Sequence, residues 1–318
     1  YMEINANSKG GINLDEISFL IVFYLFLLNF KNVETLNIIF KNKNKSLLYS
    51  EILLEKDSMT YETVTLNINN QCAYITLNRP ERLNSFDLKL GEELHETLHI
   101  ASLNKEIKTV IIKGTGKGFC GGGDVKEMHK SQNKPQFLRD LTKAIHKCVM
   151  EIRTMEKPVI AVVNGAAFGA GFSLMLACDI IIADKNAKFG TAFIGIGLAP
   201  GCGTQLFTQL VGYQKACEYI LTSKVFTAEE AEKLGIINKL VNSEEMDEET
   251  EKFVEIFRRF PSIAVGKAKM LINKSLDDTI DQHLELESMT ASFTAGTKDF
   301  AEGVSAFIEK RKPNFKGN

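Results

Sequence analysis

Two short, continuous apolar segments, each followed by a glycine-rich loop, constrain the fold of this chain more than any other feature. The first is 109–112, which leads into the glycines of 114–123; the second is 158–163, which leads into those of 164–171. Strands that are apolar at every position are buried on both faces, and helices make the crossover connections between them. The sequence therefore predicts an α/β fold with two neighbouring glycine loops.

The remaining predicted elements fit around these two units. The alternating segments 62–68 and 73–78 predict a β-hairpin. Leucines spaced four residues apart predict a helix over 88–101. A third buried strand is predicted at 179–183, and the pattern is helical from about residue 204 to the end.

Composition excludes several classes of protein. The 318 residues are 44% hydrophobic and 25% charged, with a net charge of −2, which is typical of a globular protein and not of a nucleic-acid-binding one. The six cysteines form no C-x-x-C pair, so we expect free, buried thiols and no structural zinc. This cysteine usage favours a reducing, cytoplasmic location.

Residues 1–58 differ from the rest of the chain. They are rich in Asn, Lys, Leu and Phe, and their apolar run, Phe19–Leu28, is shorter than the ~20 residues of a membrane span. Three interpretations remain open: a membrane-associating helix, a hydrophobic arm packed on the body, or translated upstream sequence. Regular alternation begins at Met59, so we expect a functional protein that starts near there and has no stable membrane span.

The glycine loops have a direct chemical interpretation. Each one follows a buried strand, and such loops leave backbone N–H groups unpaired and pointing in one direction. Two loops on neighbouring strands can aim two N–H donors at one oxygen, which is what an enolate or a tetrahedral oxyanion requires. The alternative is that the glycines only permit close packing.

Two further motifs suggest different chemistry. Residues 116–121 fit G-x-G-x-x-G, but no strand that ends in an acidic residue follows at the distance a dinucleotide site requires. His95–His99 fits H-E-x-x-H on a predicted helix, but nothing downstream marks a third zinc ligand. An oxidoreductase and a zinc hydrolase are therefore disfavoured, and we predict no metal site.

Several segments in a fixed order resemble the crotonase superfamily, the enoyl-CoA hydratase/isomerase family. The matching segments are ITLNRPERLNS at 75–85, KGFCGGGDV at 117–125, KPVIAVVNG at 157–165, GAG at 169–171, CDI at 178–180, IGLAPG at 196–201 and EGVSAF at 302–307. The resemblance covers the chain from about Met59 to its end.

The resemblance implies both an architecture and an activity. It implies a β-β-α spiral, acyl-CoA-binding core over 59–253 and a helical region over 254–318 that assembles trimers, often stacked as hexamers. The enzyme would act on an acyl-CoA thioester in fatty acid metabolism. No cofactor is expected, because the thioester is itself the substrate.

Particular residues take the family's site positions. The resemblance implies an oxyanion hole made by the backbone N–H groups of Gly121 and Ala170. It implies a CoA-binding edge at 121–124, in which Asp124 orders the loop. The implied substrate-contacting residues are Gly121, Gly122, Gly123, Asp124, Ala170 and Phe193.

Both glutamates of the family's hydratases are replaced. Ser173 and Phe193 stand at their positions, and Gly201 replaces an aspartate used by the related ring-epoxide isomerase. Water addition requires a positioned acid and base, so we expect isomerase-like enolate chemistry rather than hydration, with Ser173 binding substrate or positioning a water. The alternative is a homologue that binds CoA thioesters without catalysis.

Overall fold

The computed structural model describes residues 58–318. The three interpretations of the N-terminal extension and its apolar run fall on residues outside this range. Among the described residues, no helix has both the length and the apolar character to cross a membrane.

Eleven strands and eleven α-helices are found in residues 58–318. The strands are β1 (Ser58–Thr60), β2 (Val64–Asn69), β3 (Cys72–Leu77), β4 (Thr109–Gly114), β5 (Gly118–Cys120), β6 (Val159–Val163), β7 (Ala166–Phe168), β8 (Ile180–Asp184), β9 (Lys188–Gly190), β10 (Val225–Thr227) and β11 (Lys239–Val241). The helices are α1 (Leu88–Leu103), α2 (Val125–Lys130), α3 (Lys134–Thr154), α4 (Ala170–Ala177), α5 (Thr204–Val211), α6 (Tyr213–Leu221), α7 (Ala228–Lys233), α8 (Met246–Arg259), α9 (Ser262–Lys274), α10 (Ile280–Ala295) and α11 (Lys298–Glu309).

The strands form two sheets. The larger has the order β1-β2-β3-β4-β6-β8-β11, with antiparallel pairing among β1, β2 and β3 and parallel pairing from β3 onward. The smaller has the order β10-β9-β7-β5. The predicted hairpin and the predicted buried strands are thereby confirmed, and every residue of β6 is buried.

Short crossings between the sheets position the two glycine loops. The chain passes from β4 in the large sheet to β5 in the small one, and from β6 to β7 in the same way. Because β5 and β7 pair in parallel, the loops that follow them emerge at the same edge. The first loop then enters α2, and the second enters α4.

Helix α4 is the central helix of the fold. All eight of its residues are buried, as expected for a helix that is apolar on every face. Its Phe172 ring packs edge-on against Phe207 and Phe226, with centroids 5.4 Å and 5.7 Å away. This aromatic packing fixes α4 against α5 and β10.

The domain boundary expected between residues 253 and 254 falls inside α8. A division of the chain there would cut a continuous helix. Helix α8 ends before Phe260–Pro261, and α9 begins at Ser262.

Candidate active site

The two glycine loops touch backbone to backbone. A Cβ added at Gly122 would lie 3.0 Å from the Phe168 carbonyl oxygen and 3.7 Å from the Ala170 nitrogen. Gly122 and Gly169 also have φ values of +103° and +50°, which favour glycine. The structure therefore brings together the loops that the sequence predicted to be neighbours.

The first loop is held by the segment that precedes α1. Gly121 N–H donates to the Leu83 carbonyl oxygen at 2.8 Å, Phe86 N–H donates to the Gly122 oxygen at 2.7 Å, and Asp124 N–H donates to the Phe86 oxygen at 2.7 Å. The predicted oxyanion-hole role of Gly121 conflicts with this pattern, because its N–H is already occupied. Sequence reasoning could not see this bond, since Leu83 lies far away in the chain.

Gly123 has a different environment. It forms a parallel β-bridge with Phe86. The two hydrogen bonds of this bridge are made by Gly122 and Asp124, so the Gly123 N–H points away from Phe86. Within residues 58–318, this N–H has no hydrogen-bond acceptor. The half-buried Gly123 is therefore the better-placed donor of the first loop.

Asp124 holds the start of α2. Its carboxylate accepts from the N–H groups of Lys126 and Glu127 at 3.1 Å and 3.3 Å and pairs with Arg79 at 3.2 Å. The side chain is only 4% exposed. The carboxylate thus orders the loop and is turned toward the protein.

The second loop ends at the first residue of α4. Gly169 N–H donates to the Gly190 oxygen at 2.9 Å, and the Gly169 oxygen accepts from Ser173 N–H at 3.0 Å. Ala170 is buried, and its N–H has no acceptor in the described part of the chain. A buried N–H without an acceptor is rare and marks a place where a ligand oxygen fits.

Ser173 is enclosed by carbonyl groups. Its hydroxyl lies 3.0 Å from the Gly169 oxygen and 3.1 Å from the Cys202 oxygen, and the residue is 2% exposed. The single hydroxyl hydrogen is donated to one of these two acceptors. Both contacts are with backbone carbonyl oxygens, which do not remove the hydroxyl proton, so they do not activate Ser173 as a base.

Phe193 lies beside the start of α4. Its ring carbon Cε1 would be 3.8 Å from a Cβ added at Gly169. Phe193 and Ser173 line one narrow cavity of about 10 Å³, which has room for about one water molecule. The other lining residues are Phe172, Thr191, Pro200, Cys202, Gly203, Thr204, Phe207 and Ile220.

No ordinary acid or base lines this cavity. The described residues that line it include no Asp, Glu, His or Lys. The lining includes one thiol, that of Cys202. Burial raises its pKa, so the thiol stays protonated at neutral pH and does not act as a base.

Comparisons with known proteins identify the family. The family model described as enoyl-CoA hydratase/isomerase matches residues 67–318. A probable mitochondrial enoyl-CoA hydratase of Dictyostelium discoideum is 37% identical over 254 residues, which cover 80% of this chain and 90% of the relative. A 1,2-epoxyphenylacetyl-CoA isomerase of Escherichia coli (strain K12) is 34% identical over 80% of this chain and 99% of that protein. This chain belongs to the enoyl-CoA hydratase/isomerase family.

Solved structures of the family share the fold. The enoyl-CoA hydratase from Polaromonas sp. JS666 has a TM-score of 0.76 and 30% identity, covering 80% of this chain and 99% of that one. The crotonase fold predicted from the motifs is therefore confirmed. So is the predicted class of enzyme, an enoyl-CoA hydratase/isomerase-type acyl-CoA enzyme.

The H-E-x-x-H motif is a surface feature of this family member. The His95 and His99 rings stack with centroids 6.2 Å apart, and both face Glu151, at 3.8 Å and 3.3 Å. Ser102 donates to the same carboxylate at 2.6 Å. Among the described residues, no group of three potential ligands is arranged to hold a metal ion.

The G-x-G-x-x-G match does not form a dinucleotide-binding turn. Its second glycine, Gly118, lies in strand β5, and Gly121 follows that strand. The segment therefore contains a strand where a turn into a helix would be required.

Proposed function

We propose that this enzyme binds an acyl-CoA thioester and stabilises the enolate that forms when the α-carbon loses a proton. The negative charge of an enolate collects on the thioester oxygen, where fixed N–H donors act most strongly. The observation that carries the proposal is the buried, acceptor-free N–H of Ala170, at the contact between the two glycine loops. Its partner in the first loop would be the Gly123 N–H.

The remaining first-loop residues fit a CoA-binding edge. Gly121 and Gly123 are half-buried and adjoin the buried Gly122 and Asp124, so the backbone can approach a ligand closely. We place the CoA chain along 121–124 on this basis.

Six free cysteines in the described region support a reducing compartment such as the cytoplasm.

Proton transfer within an enolate-forming reaction, such as double-bond migration, is favoured over water addition. We assign Ser173 and Phe193 to the positions where hydratases of the family carry glutamates, and the described residues that line the cavity beside them include no carboxylate. Hydration needs an acid and a base, each contributing roughly 10²–10⁴-fold. An isomerisation needs only one group, which takes the proton from the α-carbon and returns it to the γ-carbon, and this group would lie outside the lining of the small cavity.

Turnover of two substrate classes tests the reaction. The purified enzyme is incubated with 3-enoyl-CoA and with 2-enoyl-CoA, and exchange of the α-protons with D2O is followed by NMR. We expect exchange and migration of the 3-double bond, with slower or no hydration of the 2-enoyl substrate. Rapid hydration without migration would contradict the isomerase assignment.

Substitution of Ala170 tests the donor itself. Ala170 is the first residue of α4, where proline is tolerated, so Ala170→Pro removes the N–H and keeps the helix. We expect kcat to fall by about 10²–10³-fold with little change in thermal unfolding. Ala170→Gly, which retains the N–H, is the matched control, and an equal loss in both variants would refute the donor role.

A second candidate function is CoA-thioester binding without catalysis. The described residues that line the small cavity include no acid or base, which favours this candidate. Calorimetric binding of butyryl-CoA, combined with neither turnover nor α-proton exchange, would support this candidate over the enzyme.

We further propose that residues 254–318 assemble a homotrimer or a hexamer made of two stacked trimers. Large apolar side chains are exposed on α10 and α11, including Ile280 at 80%, Phe307 at 86% and Ile308 at 73%. Such clusters are typical of interfaces between subunits. Light scattering should give about three or six times the chain mass of 35.5 kDa, whereas a monomer at micromolar concentration would contradict the proposal.

A further inference from the structure

The guanidinium of Arg79 lies at the centre of a compact polar cluster. Its Nη2 atom is 3.0 Å from an Asp87 carboxylate oxygen and 3.2 Å from an Asp124 carboxylate oxygen. Its Nη1 atom donates to the Ser85 carbonyl oxygen at 2.5 Å. The Arg79 side chain is 13% exposed, so this is a partly desolvated set of charge-assisted bonds.

The two carboxylates of this cluster begin two helices. Asp87 accepts from Leu90 N–H at 2.8 Å and caps α1. Asp124 caps α2 in the same way. One arginine therefore connects the starts of two helices that belong to different parts of the chain.

The same arginine lies behind the bridge that orients the first glycine loop. Ser85 and Asp87 flank Phe86 in one segment, and Asp124 follows Gly123 in the other. Phe86 and Gly123 are the bridged pair. Arg79 thus holds both segments of the bridge through side-chain and carbonyl contacts.

The backbone of Arg79 is itself fixed by Asn84. Arg79 N–H donates to the Asn84 side-chain oxygen at 2.8 Å, and Asn84 N–H donates to the Arg79 carbonyl oxygen at 2.9 Å. The Asn84 side chain, which is fully buried, also donates to the carbonyl oxygens of Thr115 and Gly118 at 2.9 Å and 2.8 Å. The arginine is therefore held at its base as well as at its tip.

We propose that Arg79 is a positioning residue that sets the direction of the Gly123 N–H toward the thioester oxygen. This inference rests on the proposed function, because it assigns Gly123 the donor role there. The planar fork of Arg79 serves two carboxylates and a carbonyl at once, which the point charge of a lysine cannot reproduce in the same geometry.

Turnover and binding are compared in Arg79→Ala and Arg79→Lys. A small displacement of a catalytic donor costs up to about 10²-fold in rate, so we expect kcat for the 3-enoyl-CoA to fall about 10–100-fold in Arg79→Ala and less in Arg79→Lys. The Kd for butyryl-CoA should change less than about 3-fold.

Added guanidinium ion should restore part of the activity of Arg79→Ala. Arg259→Ala is the control variant: the exposed Arg259 side chain pairs with Glu255, and its removal should leave activity equal to the wild type.

Amide hydrogen exchange provides a readout that does not depend on turnover. The amides of Gly121 and Asp124, which donate to Leu83 and Phe86, should exchange at least ten times faster in Arg79→Ala, with β6 unchanged. Unchanged exchange would overturn the positioning role. So would a loss of kcat that follows global unfolding and that guanidinium does not restore. If the wild type binds no acyl-CoA, the proposed function fails, whereas the exchange result still decides whether Arg79 orders the loop.

Discussion

Gly203 shows how backbone conformation closes the cavity beside Ser173. Its φ is +78°, and a Cβ there would overlap the Ser173 hydroxyl and lie 2.7 Å from the Ser173 Cβ. The preceding carbonyl, that of Cys202, is one of the two acceptors around this hydroxyl. Ser173 is thus enclosed by the backbone of the Cys202–Gly203 turn, which explains why no larger side chain would fit at 173 without moving the turn.

Substitution of Gly203 should cost far more than substitution of a glycine with the same conformation in open space. Gly203→Ala combines a left-handed backbone, at roughly 1–2 kcal/mol, with overpacking at roughly 1–3 kcal/mol. Gly197 is also left-handed, with φ +76° and ψ +19°, and has no atom within 4 Å of an added Cβ, so Gly197→Ala bears only the first cost. Urea unfolding of the two variants measures the difference, and equal losses would refute this account of the cavity wall.

At the scale of elements, helix α9 is attached to the sheet by a buried ion pair. Lys269 of α9 lies 2.7 Å from an Asp179 carboxylate oxygen and is 8% exposed. Its ammonium group also donates to the carbonyl oxygens of Ile152 and Lys157 at 2.7 Å and 2.9 Å. The same Asp179 carboxylate accepts from Val159 N–H at the start of β6, so one cluster joins α3, α9 and the large sheet.

Removal of the Lys269 ammonium should destabilise the protein strongly. Lys269→Met leaves the Asp179 carboxylate buried without its cation, a change that typically costs about 3–5 kcal/mol. In the double variant with Asp179→Asn, no charge is left unpaired, so the loss should be smaller than the sum of the two single losses. A double-mutant cycle by chemical denaturation measures this coupling, and simple additivity would contradict the interpretation.

For the molecule as a whole, buried thiols make the free energy of unfolding depend on pH in the alkaline range. Burial raises the pKa of Cys72, Cys120 and Cys148 from 9.0 to about 12 in each case. Above pH 9 these thiols ionise in the unfolded chain but not in the folded chain. Their contribution to the free energy of unfolding is therefore complete below pH 9 and decreases as the pH rises toward 12. Lys157, whose pKa burial lowers from 10.5 to about 8, acts in the opposite direction between those values. Burial also lowers the pKa of Lys108 and Lys269 and raises the pKa of Cys178 and Cys202, so five thiols act against three lysines.

We expect the free energy of unfolding to fall with pH above 9. Each buried thiol contributes a slope of about 1.4 kcal/mol per pH unit in that range. Cys148→Ala should therefore give a shallower decline than the wild type by about that amount. Urea unfolding under reducing conditions between pH 8 and pH 11 tests this, and parallel curves for the two proteins would contradict it.

Local sequence pattern predicts the longer strands and helices of the described structure. Strands β4, β6 and β8 and helix α1 agree with the apolar segments and the leucine spacing, because each is long enough to show its period. Strands β1, β5, β7, β9, β10 and β11 were not predicted, and β10 and β11 lie in the region after residue 204 that was expected to be helical. Each has only three residues, which is too short for alternation to identify.

The α/β class, the two glycine loops and the family follow from the amino-acid sequence, because strand patterns and motifs are local properties of the chain. The sequence also located Ala170 at a loop that meets its neighbour. The folded chain sets which N–H of the first loop is free: within residues 58–318, the Gly121 N–H is bonded to Leu83 and the Gly123 N–H has no acceptor. Hydrogen-bond partners that lie far apart in the chain leave no local pattern, so the occupancy of a backbone donor is decided by the folded chain.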